Sequence, residues 1–225
     1  MKTLQVDFPL PDKQPLITLE YEPGVPDVDV NWLSTYLKDA ANSGQEFRSG
    51  ETLQVGSMLT KFLDAGDNRL VIGEPDMQSM PIHFEPGVSR TLTVLRLQKD
   101  VAESLGLQDR IDFASITSSV LVCTEVDAQN IAVMDRAATE DSRETGWFVG
   151  CRNPSHDHNV AENLQRISIY ELMVRIPTAT PFLALPVSSS IVFDGRRPAG
   201  IWCDGQQATV RPGSLLDQLA QRTDA

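Results

Sequence analysis

The chain has 225 residues, with 19 basic and 31 acidic side chains giving a formal net charge of −12, 41% hydrophobic residues and 22% charged residues. This composition can bury a real core and excludes the disordered class. The acidic surplus argues against a nucleic-acid binder, which needs a cationic face to displace phosphate counterions, and it suits a cationic protein partner better.

The opening Leu4–Phe8 and Leu16–Tyr21 are rich in β-favouring residues, are separated by Pro11-Asp12 and Pro15, and read as strands. Trp32, Leu33, Tyr36, Leu37 and Ala40 recur at helical spacing, with Asp29 or Asn31 as N-cap and Gly44 as the stop. Thr52–Leu63 alternates for much of its length and reads as one strand, and Gly66-Asp67-Asn68 turns the chain into another at Arg69–Ile72. Residues 89–105 carry both periods, but their length, their polar filling and Gly106 favour a helix. Gln108–Ser118 reads as a connector, so the division into domains is expected there, giving 1–115 and 116–225.

In the second half, Ser119–Glu125 and Ile131–Met134 read as strands of a meander, followed by a charged loop at Asp135–Thr145 and a strand at Trp147–Val149. Pro154–Asn163 is a polar loop and Ser168–Arg175 a short helix. Pro177–Pro181 breaks the chain, and Ile191–Phe193 closes the sheet. Ala208–Val210 is a candidate edge strand, and Leu215–Arg222 a terminal helix. Strands and helices mix without strict βαβ alternation, so the expected class is α+β, with mostly antiparallel mixed sheets in two small subdomains. The first 115 residues carry a net charge of −8 and the rest −4, and all nine bases of the second half are arginine. A GC-rich coding bias accounts for that arginine preference better than a surface built for planar hydrogen-bonded pairs does.

Cys123, Cys151 and Cys203 are odd in number and widely spaced, unlike a secreted disulfide framework, and form no Cys-x-x-Cys pair. They are expected reduced and mostly buried. The first residues lack the apolar run of a signal peptide, and no segment approaches the roughly 20 apolar residues of a membrane span. A cytoplasmic protein without membrane contact is the expectation.

His156-Asp157-His158, with Cys151 nearby, admits a metal site or a Cys–His nucleophile pair. Zinc requires three or four converging ligands, however, and the remaining histidine, His83, is far away in sequence. A polar loop capped by its own Asn and Asp side chains accounts for the same residues. No metal, cofactor or catalytic residue is therefore expected, and an enzyme using His156, His158 and Cys151 stands as an alternative. Glu140, Asp141 and Glu144 cluster with Arg136 and Arg143 before Gly146-Trp147. This is either an acidic lip beside an aromatic anchor, suited to a basic partner, or a solvated loop beside a core tryptophan. The partner-binding candidates are Glu140, Asp141, Glu144, Trp147 and Asp157.

Val120–Cys123, Val133-Met134-Asp135-Arg136, Asp141-Ser142, Gly146-Trp147-Phe148, Leu183–Pro186 and Phe193-Asp194 together resemble an immunity-protein domain. Such domains accompany bacterial contact-dependent toxins, including type VI secretion effectors. The resemblance is placed at about residues 118–205, and Gly50–Leu63, Glu74-Pro75-Asp76 and Arg96–Leu105 look like the segment that precedes the domain in longer members. It implies stoichiometric neutralisation of a cognate toxin, basic and of nuclease type for instance, without catalysis, and it allows a homodimer. A general protein-interaction module is the other alternative. Shorter relatives run Asp-Ser-Gly-Trp directly, so Arg143-Glu144-Thr145 is an insertion expected to lengthen the lip.

Overall fold

The computed structural model describes residues 1–8 and 14–221, and the chain divides into two units, Met1–Arg96 and Leu97–Ala225. The expected Pro11-Asp12 break and Arg222 at the end of the terminal helix lie outside the described residues. The division falls inside a helix, whereas the sequence reading put it in the connector 108–118. The protein is α+β, with one mixed sheet in each unit.

The first unit runs β1 (Lys2–Val6), β2 (Leu16–Tyr21), α1 (Asp27–Asn42), β3 (Thr52–Val55), β4 (Met58–Asp64), β5 (Arg69–Pro75), β6 (Phe84–Pro86) and the start of α2 (Ser89–Ser104). Among the described residues the sheet order is β1-β2-β5-β4-β3, with β6 also on β5, and only the β2–β5 pairing is parallel. The stretch expected as one strand over Thr52–Leu63 is a hairpin. Val55 faces Met58 across Gly56-Ser57, and Gly56 has φ 60°, a left-handed conformation that glycine adopts without a Cβ penalty. Gly66, Asp67 and Asn68 all have positive φ and make the expected turn into β5.

Helix α1 starts at Asp27, earlier than either expected cap, and ends in a Schellman motif at Gly44, where Gln45 N–H reaches Ala40 O at 3.1 Å. It buries Val30, Leu33, Ser34 and Leu37, while Trp32 and Tyr36 are each 41% exposed and stack on one another at 5.7 Å. The aromatic positions counted toward its apolar period therefore lie off the core face. Helix α2 takes its N-cap from far along the chain. The buried Glu74 on β5 accepts from the backbone N–H groups of Arg90 and Thr91 at 3.1 and 2.8 Å. A carboxylate at this end also complements the helix dipole. At the other end Gly106 has φ 73° and Leu107 N–H bonds Ala102 O at 2.8 Å, as its sequence position predicts.

The second unit contains β7 (Ser119–Cys123), β8 (Ile131–Arg136), β9 (Glu144–Cys151), β10 (Leu164–Ser168), α3 (Ile169–Arg175), β11 (Ser189–Asp194), β12 (Arg197–Cys203), β13 (Gln206–Gln207) and α4 (Leu215–Gln221). Its sheet order is β10-β7-β9-β8-β11-β12-β13. The expected β7–β8 meander is absent, because β9 lies between them, parallel to β7 and antiparallel to β8. Nor does β11 close the sheet: β12 and β13 continue it, and β13 ends before the expected edge strand at Ala208–Val210. β10 is hidden at the junction of the polar loop and the short helix α3, whose N-cap Ser168 accepts from Glu171 N–H at 3.0 Å. Ser168 and Glu171 stand at capping-box spacing. Trp147, Tyr170, Ile116 and Ile131 are among the largest fully buried side chains of this unit.

Because Glu74 satisfies two N–H groups at the start of α2, Glu74→Ala is expected to lower stability by about 2 kcal/mol in a denaturant titration. An unchanged midpoint would show that solvent caps this end equally well.

Candidate functional site

The residues expected to form the lip have separate fates. Glu140 and Asp141 lie in the loop between β8 and β9, whereas Glu144 and Thr145 belong to β9 itself, with Glu144 level with Ser119 of β7. The Arg143-Glu144-Thr145 segment, expected to lengthen the lip, thus mainly starts a strand, and Arg143 O is tied to Ser119 N–H at 2.8 Å. Two lip carboxylates already have arginine partners. Asp141 binds Arg143 through Nε and Nη2 at 3.2 and 3.0 Å, and Glu144 binds Arg166. The Arg143 side chain is the chief cause holding the half-buried Asp141 below the usual aspartate range. Asp157 is exposed and accepts from Asn159 N–H at 2.9 Å, which is the main reason its pKa is also lowered.

Trp147 is not a surface anchor. It is 1% exposed, and its Nε1 donates to Leu183 O at 3.2 Å. Beside it sits the buried Arg136, its register partner on β8, with the guanidinium 5.6 Å from the indole ring. Arg136 donates to the carbonyls of Thr145, Asp112 and Leu185 and pairs with the Asp112 carboxylate at 2.8 Å. Burial lowers its pKa and Asp112 opposes that shift. The Arg136–Trp147 pair therefore locks the base of the lip into the core. The sequence alone admits both an anchor and a core tryptophan here, because burial is a tertiary property, and the fold decides for the core.

Gly146 sets the geometry of the same loop. Its φ is +74°, and a Cβ there would collide with Ala137 O, while Ala137 N–H bonds Gly146 O at 3.0 Å. No side chain fits at this position without moving the backbone.

At the other end of β9, four side chains meet. Cys123 ends β7, Cys151 ends β9, and His156 and His158 come from the following loop. One ligand atom from each lies within 4.8 Å of all the others. Cys123 Sγ is 3.1 Å from His156 Nδ1, and Cys151 Sγ is 3.5 Å from both His156 Nδ1 and His158 Nε2. Both thiols are free and buried. Burial is the main cause pushing the Cys151 thiol up, away from the depressed pKa of a nucleophilic cysteine. The His158 ring packs edge-on to Phe148 at 5.4 Å and lies over Gly150, where a Cβ would meet its Cε1 at 3.0 Å. Cys123 is the member of this cluster that the local sequence pattern does not supply. The available signal was that two apolar strands each end in cysteine, but it becomes usable only once the strands are known to run side by side.

Residues 97–204, just under half of the chain, match the family model of the Imm33-like domain, an immunity-protein family. The match begins where the second unit begins, and the expected resemblance holds for that unit; residues 1–96 lie outside it. No curated protein and no solved structure matches the chain. No described helix is long and apolar enough to cross a membrane.

The depressed Asp141 pKa adds stability above the ordinary aspartate pKa, and this is lost as pH falls through the lowered value. Arg143→Ala should return the Asp141 titration toward the ordinary range in a carboxyl-resolved NMR pH series; an unmoved titration would assign the shift to the backbone alone. Gly146→Ala should cost roughly 2 kcal/mol or more in chemical denaturation, because backbone must move to admit the methyl group.

Proposed function

We propose that the protein is a cytoplasmic immunity protein that binds a cognate secreted bacterial toxin, such as a type VI secretion effector, and neutralises it stoichiometrically without catalysis. The observation that carries this reading is the Imm33-like match over residues 97–204. The net charge of −12 supports a basic partner such as a nuclease, since the summed field speeds its capture.

Within the second unit, the exposed carboxylates of Glu140 and Asp157, with the half-buried Asp141 and Glu144 at the start of β9, are the surface we assign to that partner. Their fixed geometry favours a docking role: Asp141 and Glu144 are held by Arg143 and Arg166, and Asp157 by its own turn. The partly neutralised lip then sets orientation, while the whole-chain charge drives the encounter. A second reading, a general interaction module, is favoured by one observation outside the family match. Val28, Trp32 and Tyr36 form an exposed apolar stripe along α1, at one-turn spacing.

Co-expression with the product of the adjacent gene provides the test. The protein should co-purify with that product and restore growth to cells making it, and failure of both would sink the immunity reading. The triple reversal Glu140→Lys/Asp141→Lys/Glu144→Lys should remain folded and slow association roughly tenfold at low salt, with a smaller effect at high salt. An unchanged association rate would move the interface elsewhere, with the α1 stripe the next surface to mutate.

A further inference from the structure

The convergence of Cys123, Cys151, His156 and His158 has a metal-binding geometry. Zinc is held tetrahedrally, with Zn–S about 2.3 Å and Zn–N about 2.0–2.1 Å, which places neighbouring sulfur and nitrogen ligands about 3.5 Å apart. Three of the four sulfur–nitrogen distances here are 3.1, 3.5 and 3.5 Å, and no pair of ligand atoms in the set, the Cys123–His158 pair included, exceeds 4.8 Å. Two thiols and two imidazoles are also the donor types that select zinc over the oxygen-seeking cations. We propose that these four side chains bind one zinc ion in a closed Cys2His2 site.

The surroundings are built for this role. Cys123 and Cys151 are fixed by the ends of two adjacent strands, so the strand pairing itself brings the two sulfurs to the same end of the sheet. The loop is then pinned on both flanks: Arg152 N–H bonds Asn130 O at 2.8 Å, and Asn163 Nδ2 donates to Asp157 O at 2.9 Å. Gly150 leaves room for the His158 ring, as its missing Cβ shows. With His156 bound through Nδ1, its Nε2 faces Thr124 Oγ1 at 3.5 Å, which is the outer-shell partner a ligating imidazole requires. On binding, each thiol gives its proton to solvent. Two thiolates and two neutral imidazoles then balance the dication.

Four protein ligands leave no open coordination position, so the ion is structural and not catalytic. It would staple two separate stretches of the second unit: the end of β7, and the end of β9 with the loop 152–163 that follows it. It would also fix Asp157, which stands between the two histidine ligands and belongs to the surface assigned above to a partner. The zinc site itself does not depend on that assignment.

The test uses the untagged full chain, purified under reducing conditions from zinc-supplemented medium. Elemental analysis should give about one zinc per chain. Cobalt replacing zinc should give the intense visible bands of a tetrahedral ion and a thiolate-to-cobalt charge-transfer band. His158→Ala, on a loop residue that is partly exposed, should remain folded by circular dichroism and lose the metal; Cys123→Ser should lose the charge-transfer intensity, and Cys203→Ser should keep it. Chelation of the wild-type protein should lower its Tm. A wild-type chain that stays metal-free after reconstitution would overturn the proposal, as would a six-coordinate cobalt spectrum, a Cys123–Cys151 disulfide in the reduced preparation, or full zinc retention by His158→Ala. The cobalt spectrum is read on the wild-type protein, so it decides the matter even if the cysteine variants do not fold.

Discussion

The parallel pairing of β7 with β9 is the constraint on which the second unit depends. Two strands that are adjacent and parallel end on the same edge of the sheet, and here both end in cysteine. The same pairing inserts β9 between β7 and β8, two strands that precede it in sequence, as an interior strand of the seven-stranded sheet. At one end of β9 lies the lip, with Glu144 beside Ser119; at the other lies the Cys/His cluster. One strand therefore carries both features, and its central residues, Trp147 and Val149, are buried in the core.

The buried Arg136 holds the lip end in place. A guanidinium removed from water is costly unless every face of it is satisfied, and here three backbone carbonyls, the Asp112 carboxylate and the face of Trp147 do so. Those partners come from the connector after α2, from the start of β9 and from the turn at Leu185. The arginine thus fastens two irregular segments, which no sheet ladder would hold, to the strands of the core. The partner surface proposed on the adjacent loop would gain rigidity from this arrangement, and rigidity reduces the entropy lost on binding.

The sheet of the second unit also explains why the candidate residues divided as they did. Glu140, Asp141 and Asp157 lie on loops and keep their carboxylates at the surface, while Trp147, on the strand that Glu144 begins, turns inward. The alternation of a strand sends Thr145, Trp147 and Val149 to the buried side. Cys151 follows the same alternation, which is why its thiol is buried beneath the loop histidines.

Much of the local structure was legible in the residues: the Schellman end at Gly44, the turn at Asp67-Asn68, the helix 89–104 with Gly106 beyond it, and the short helix at 168–175. These are short-range effects of φ preference, capping and periodicity, and they are encoded within a few positions. Residue order and composition alone were enough for the α+β class, the acidic balance and the resemblance to an immunity domain. Folding in three dimensions was needed to make Thr52–Leu63 a hairpin, to place β9 between β7 and β8, to bury Trp147 in the core, and to bring Cys123 to Cys151, His156 and His158. Each of these turns on which segments lie beside one another, and strand pairing joins residues too far apart in the chain for any local pattern to record it.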